Sequence, residues 1–485
     1  MNRSLWPHQV DGIAMLRHSL GSGRRRPMLA SPTGSGKTLL TAAIVDGALR
    51  KGKRVCFIVP AISLINQTVK AFYDEGISDV GVIQASHPMT NPSRPVQVAS
   101  VQTLHRRERP KADLFVIDEA HILHKTHKDL LSDEALRSVP MIGLSATPWR
   151  RGLGKFYDDL LVVTTTQRLI DGGFLSRFKV FAPSHPDLSG VRTVAGDYQQ
   201  DELSDAMNTS PLVADVVSNW LANGEGRPTL CFAVDRAHAK HLQEQFLAAG
   251  VPAGYIDCNV DGEDREPILK QFRRGDLKVI CNVGTMTTGV DLDVRCLILA
   301  RPTKSESLFV QIIGRALRTA TGKDHAIIFD HSDTHARLGF VTDIHHDKLD
   351  DGSSPGEAKP RPKPKPKECP QCHFLRPAKV SLCPACGFKP ARQCDVEVED
   401  GELIELGAAS RENRHAAKAE QQRWFSMLLG VAEARGYKPG WAAANYKDRF
   451  KAWPDGLDKR PCEPSPEVVS WVRHKMIQFA KRRAA

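Results

Sequence analysis

Long apolar runs are missing from this sequence. Nowhere in its 485 residues do ~18 apolar residues follow one another, so a transmembrane helix of ordinary length is excluded. Met1 to Leu20 carries Arg3, Asp11, Arg17 and His18 and therefore lacks the apolar centre of a secretory signal. A cytoplasmic protein without a membrane partner is expected. A disulfide framework is missing too: the eleven cysteines are an odd number, and Cys56, Cys231, Cys258, Cys281 and Cys296 lie in apolar stretches, where a reduced thiol packs as a small hydrophobe.

Excess charge of one sign is absent from most of the chain. Residues 1–358 hold 42 Lys plus Arg against 41 Asp plus Glu, whereas residues 359–485 hold 25 against 15, so nearly all of the net +11 lies in the C-terminal quarter. Such a block suits a phosphate backbone, because displacing condensed counterions drives association. A solubilising tail is the plainer alternative. Hydrophobic residues at 41% and charged residues at 25% are ordinary for a globular chain, and at ~150 residues per domain the length suggests about three folded units.

From Leu29 to Leu144 short apolar runs (VCFIVP, VQVAS, LFVID, MIGLS) alternate with longer helix-like stretches, the pattern of a parallel sheet in an α/β domain. The rhythm returns after about residue 208 in TLCFAV, AGYIDC, KVICNV, CLILAR and AIIFD, and no other internal repeat is visible. The expected organisation is a first α/β domain over 1–155, a connection over 156–207 and a second α/β domain over 208–345. Alternating Pro and Lys up to Lys367 read as an extended, self-repelling spacer, within a linker at 346–368. A cysteine element at 369–392 follows, then a basic region at 393–485 with helices expected over His415 to Gly436 and Pro466 to Arg483.

SPTGSGKT, Ser31 to Thr38, follows the apolar PMLA and precedes LLTAAIVDGAL, which gives strand, tight loop and helix. Gly34, Ser35 and Gly36 let backbone N–H groups converge on a triphosphate at a helix N-terminus. Lys37 adds charge at the β and γ phosphates, and Thr38 can hold Mg2+ through its hydroxyl. Further on, LFVIDEAH ends an apolar strand in two acids. Asp118 would hold Mg2+ through water and Glu119 would polarise the attacking water. ATP and Mg2+ are the expected cofactors.

These motifs, with others in the same order, resemble superfamily 2 helicases of the DEAD/DEAH-box type. DEAH at Asp118 to His121 and SATP at Ser145 to Pro148 look like motifs II and III; VPAISLINQ and VASVQTL look like Ia and Ib; NVGTMTTGVD and QIIGRALR look like V and VI. Ser31, where the strict phosphate-loop pattern has Gly, fits this superfamily. The resemblance implies two tandem RecA-like domains. It also implies that Arg315 and Arg318, on one face if QIIGRALR is helical, reach across the cleft as arginine fingers. Gln9 in LWPHQ would read the adenine edge, and Gln311, Gly289 and Asp291 would line the cleft from the second domain. His121 would touch the γ phosphate or motif VI, and Ser145 and Thr147 would couple the nucleotide to the other domain. Ser100, Thr103 and the backbone near Ala61 match positions that hold the sugar-phosphate chain of one strand.

CPQC and CPACG place Cys369, Cys372, Cys383 and Cys386 as two C-x2-C pairs separated by ten residues. Four thiolates complete a tetrahedral Zn2+ site with no open position, a small structural zinc ribbon. His373 and Cys394 stay outside the ligand set. The element would present Lys379, Lys389 and Arg392 to DNA, or dock a protein. Trp424, Trp441, Trp453 and Trp471 suit base stacking or a small core, and core is expected for most of them. A helicase core, a linker, a zinc element and a basic, mostly helical tail together resemble the bacterial and phage RadD-like DNA repair helicases. That resemblance implies a part in recombinational repair and contacts with single-stranded DNA-binding protein or other repair proteins. Related cores drive restriction enzymes, but no compact nuclease motif stands here. Three readings stay apart: a motor that moves along or separates DNA strands, an ATP-gated clamp on DNA, and a recruiter of a repair partner.

Overall fold

The computed structural model describes residues 2–84, 87–107, 109–260, 262–287, 292–353, 365–389 and 411–484. In the N-terminal part β1 (Pro27–Ala30), β2 (Val55–Val59), β3 (Val80–Ile83), β4 (Val96–Ser100), β5 (Leu114–Ile117), β6 (Met141–Ser145) and β7 (Asp159–Val162) form one sheet in the order β3-β4-β2-β5-β6-β1-β7. Every pairing in it is parallel. Helices cover both faces of such a sheet, so its inner strands are apolar throughout. Along β2, Phe57 and Val59 join the core on one face while Cys56 and Ile58 join the core on the other. The register sets Ala30 beside Ser145 and Ile117 beside Gly143. The chain therefore leaves β1, β5 and β6 at one carboxyl edge, with Ser31, Asp118 and Ala146 close together.

A second parallel sheet contains β8 (Arg177–Phe181), β11 (Thr229–Phe232), β12 (Ala253–Ile256), β13 (Val279–Asn282), β14 (Cys296–Leu299) and β15 (His325–Asp330), in the order β12-β13-β11-β14-β15-β8. The hairpin β9 (Thr193–Val194) and β10 (Asp197–Tyr198) lies apart from it. The two sheets have the form of tandem RecA-like domains.

The stretch 156–207, expected as a connection, instead gives β7 to the first sheet and β8 to the second. Both are edge strands with half-exposed side chains, so neither shows the full apolar run of a central strand. The expected linker is also shorter than 346–368. Leu349 packs against the core of the first domain, Asp350 O accepts from Gly154 N at 2.7 Å and Asp350 Oδ1 from Gly152 N at 3.0 Å, and the His346 ring lies 4.9 Å from that of Trp149. Residues 346–353 thus strap the end of the second domain back to the first, chiefly through backbone groups that leave no pattern in sequence. Residues 354–364 of the proposed linker lie outside the described residues.

Past it, β16 (Lys367–Glu368) pairs antiparallel with β17 (Leu375–Arg376). Phe374 bridges to Phe181 on β8, Ala182 N donates to His373 O at 2.9 Å, and Leu375 is buried in the second domain's core. The cysteine element covers the open β8 edge of the second sheet.

The C-terminal unit is helical, with Arg411–Ala434, Pro439–Phe450 and Pro466–Ala484 gathered around Trp424, Phe425, Leu428, Tyr446 and Val472. The middle helix was hidden by Pro439, which occupies its first turn, where no N–H is needed. Trp441 and Trp471 pack on this core, whereas Trp453 is exposed with Lys447 Nζ 4.4 Å above its ring. Four of the five cysteines expected in cores are buried; Cys258 is exposed beside Arg236. Among the described residues no helix is long and apolar enough to cross a membrane.

Candidate nucleotide site between the two domains

The phosphate loop turns through Gly34 and Gly36, both at positive φ (84° and 75°), and Lys37 opens the helix Lys37–Leu49. Only glycine takes that backbone without strain. Gln9 is fully buried: its amide donates to Ser35 O and Gly36 O at 3.1 and 3.0 Å, and its Oε1 accepts from Trp6 N at 2.9 Å. The Gln9 amide thus braces the phosphate loop from beneath. His8, which sequence reasoning passed over, contacts Ser35 O through Nε2 at 2.9 Å. Its only signal was its place beside Gln9.

Lys37 Nζ lies 3.5 Å from Glu119 Oε1. His121 Nδ1 is 3.3 Å from Glu119 Oε2 and 2.9 Å from Ser145 Oγ, and its Nε2 is 3.4 Å from Gln311 Nε2. This set fits a neutral imidazole protonated on Nδ1, with Nε2 accepting from the Gln311 amide. Burial lowers the His121 pKa against the pull of Glu119, which favours that neutral form. Ser145 Oγ also accepts from Thr147 N at 2.9 Å, while the buried Thr147 hydroxyl has no hydrogen-bond partner among the described residues.

Burial pushes Asp118 up to about 6, helped by the Glu119 charge and opposed by Lys37. Burial works the same way on Glu119, but Lys37, His121 and Arg315 outweigh it and hold that carboxyl below its usual range. A desolvated carboxylate beside a phosphate loop suits a hard cation such as Mg2+, with Thr38 as a second oxygen donor on the exposed first turn of its helix. Glu119 itself sits at φ 46°, a left-handed conformation that costs ~1–3 kcal/mol in a non-glycine residue and is held here by the surrounding strands.

The second domain closes on this edge through Glu306–Ala316, a helix whose Gly314 lies directly on the loop: a Cβ there would stand 2.6 Å from Thr33 Cβ. Arg315, in its last turn, is buried. Arg318 lies beyond the helix end, bridged to Leu175, with its Cγ 3.8 Å from where a Gly34 Cβ would be. The two arginines therefore do not share one helical face, yet both belong to the segment that meets the phosphate loop. Gly289 and Asp291 lie outside the described residues.

Ser100 and Thr103 stand together where β4 runs into a short helix. Ser100 is fully buried and caps the short helix Val101–Leu104 by accepting from Thr103 N, and its hydroxyl lies 3.0 Å from Thr103 Oγ1. The Ser100 hydroxyl thus serves as the cap of this helix.

Two RecA-like domains closing a phosphate loop, an acid pair and an arginine helix around one cleft define a helicase-type ATPase. Comparison with known proteins agrees. Residues 2–150 match the family described as "Type III restriction enzyme, res subunit", and residues 212–320 match "Helicase conserved C-terminal domain". A 51.5 kDa protein of a Lactococcus phage is 29% identical over 370 residues, 74% of this chain and 77% of that one. IRC3 of Saccharomyces cerevisiae, a protein named as an ATP-dependent helicase, is 30% identical over 67% of this chain, which spans only 50% of its length. Among solved structures, a fragment named as an HsdR subunit of a type I restriction enzyme from Vibrio vulnificus shares the fold with a TM-score of 0.53 at 20% identity, over 71% of this chain and 66% of that one. The chain is a nucleic-acid-dependent ATPase of the superfamily 2 helicase type.

Away from the cleft, the Sγ atoms of Cys369, Cys372, Cys383 and Cys386 all lie within 4.8 Å of one another, with Cys369 to Cys386 at 3.7 Å and Cys372 to Cys383 at 3.6 Å. Zn–S bonds of ~2.3 Å in a tetrahedron set sulfurs ~3.8 Å apart, so these thiols fit a four-coordinate ion. Lys379 and Lys389 are exposed on this element, while Arg392 and Cys394 lie outside the described residues.

Proposed function

We propose that this ATPase couples hydrolysis to movement along, or remodelling of, DNA in repair or recombination, in the manner of the RadD-like helicases its motif order and tail resemble. The observation that carries the reading is the chain of contacts Lys37–Glu119–His121–Gln311, which crosses from the first domain to the second. In this reading the chain of contacts ties nucleotide state to domain position.

In this reading Lys37 and the loop N–H groups bind the β and γ phosphates, and Thr38 and Asp118 hold Mg2+, which when bound neutralises phosphate charge. Glu119 orients the attacking water and draws off its proton, and Arg315 and Arg318 stabilise charge on the transferring phosphoryl group. Ser145 and Thr147 relay the state of the site through His121. The four thiols would hold Zn2+, which would tie the cysteine element together, and the basic tail adds affinity for DNA. Single-stranded DNA-binding protein and other repair proteins are the proposed protein partners.

The test is steady-state ATPase activity of the full chain without nucleic acid and with single-stranded DNA, forked DNA or RNA, with Glu119→Gln as the blank and Lys37→Ala as the binding-site variant. DNA stimulation that vanishes in both variants is expected. Equal activity under all four conditions would overturn the DNA motor.

A further inference from the structure

We infer that Lys323 is a positioning residue for ATP hydrolysis: it pins the arginine-bearing end of the helix Glu306–Ala316 to the segment that enters β14. The inference rests on the proposed role of Arg315 and Arg318 and goes beyond it by naming what holds them in place.

Lys323 Nζ donates to three backbone carbonyls, Val294 O at 2.7 Å, Ala316 O at 2.6 Å and Arg318 O at 2.6 Å. Two of them belong to the chain that carries the arginines out of the helix. The last carbonyls of a helix have no partner within it, and a cation at that end is favourable. Leu317 O, between them, accepts from Ser176 N at 2.7 Å, so three successive carbonyls from 316 to 318 are held. The lock is reciprocal. Arg295, two residues before Leu297 in β14, donates to Thr321 O at 2.7 Å and Gly322 O at 3.0 Å, in the turn that presents Lys323. Gly322 takes φ 70° to make that turn.

An ammonium group has three N–H donors and a neutral amine has two, so three carbonyls are satisfied only while Lys323 is charged. Burial brings its pKa down to about 8; Asp293 opposes the shift, and Arg295, Arg227 and Arg318 reinforce it. The pinning therefore weakens in mildly alkaline solution. Stability moves the other way. Between about 8 and the ordinary lysine value of 10.5 the unfolded chain binds this proton and the folded chain has released it, so this group's contribution to folding grows with pH. A fall in turnover in that window is thus not accounted for by this group's effect on folding, and thermal melting separates the two.

The experiment measures kcat and KM for ATP against pH, with DNA saturating, for the full chain and for Lys323→Met, Lys323→Arg and Arg315→Ala, alongside thermal melting. Lys323→Met should lower kcat on the order of tenfold with KM changed by less than about threefold. The unaltered chain should lose kcat as pH climbs through about 8. That alkaline limb should be missing from Lys323→Met and flattened in Lys323→Arg, whose charge does not titrate there and restores part of the rate. Turnover by a folded Lys323→Met equal to that of the unaltered chain, or the same alkaline limb in it, overturns the inference. If Lys323→Met does not fold, the profile of the unaltered chain decides, and a flat kcat through that region overturns it. Full activity in Arg315→Ala would instead sink the arginine reading, whatever Lys323 does.

Discussion

Gly314→Ala tests whether the closed cleft is the hydrolytic one. The new methyl carbon would lie 2.6 Å from Thr33 Cβ and 2.8 Å from Thr33 Cγ2. Carbon atoms prefer ~3.5–4.0 Å, so the helix must retreat from the phosphate loop by about 1 Å. Rotating Thr33 does not relieve this, because its Cβ is the nearest of the atoms met. Overpacking of this kind costs ~1–3 kcal/mol. Charged against the closed state alone, that is about a 5- to 150-fold loss of turnover at ~1.4 kcal/mol per tenfold. The clash lies between domains, whereas within the helix Ala is favoured over Gly by up to ~1 kcal/mol. Activity and stability should therefore separate: kcat at saturating ATP and DNA falls at least about fivefold, while the melting temperature holds or rises. Turnover within about twofold of the unaltered chain would refute the idea that this contact is made during hydrolysis.

Cys383→Ala, or chelation, should release one bound metal per chain. Because Leu375 of the same element is buried in the second domain's core, melting of the motor should fall as well, by ~2–5 kcal/mol if that leucine loses its place. Metal analysis and thermal melting check this, and a chain that melts unchanged without metal would refute it. Asp350→Ala should loosen the strap by removing the acceptor of Gly152 N, at ~0.5–1.5 kcal/mol, and should make the two domains melt less cooperatively. Calorimetry checks it; an unaltered single transition would count against a strap that joins the domains.

Much of this fold was legible because central parallel strands are buried on both faces and so appear as unbroken apolar runs between helices. β7 and β8 have one side half exposed, and the segment containing them therefore passed for a connection. The phosphate loop and acid pair were legible because their chemistry needs particular residue types at particular strand ends. Gln9 and Ser100 show what motif order leaves out. Each stands at the right place in the motif order, yet its side chain is committed to nearby backbone, and hydrogen-bond partners cannot be read from order alone. Arg318 shows another limit: the helix ends at Ala316, and the spacing that would set it on one face with Arg315 stops there.

The glycines of the cleft join these strands of argument. In sequence, Gly34 and Gly36 point to a backbone that must approach phosphate. The structure gives each a second neighbour: a Cβ on Gly34 would strike Leu175 at 2.7 Å, and one on Gly36 would strike Gln9 and approach the Trp6 ring at 3.2 Å. Gly314 repeats the arrangement from the other domain. The same absence of a side chain that leaves room for an anion thus lets three pieces of protein close on the loop from outside. Any motion that frees the loop on the phosphate side must be felt by Trp6, Leu175 and the arginine helix together. The packing around the loop thus gives the proposed coupling of hydrolysis to domain movement a second route, in addition to the hydrogen bonds through His121.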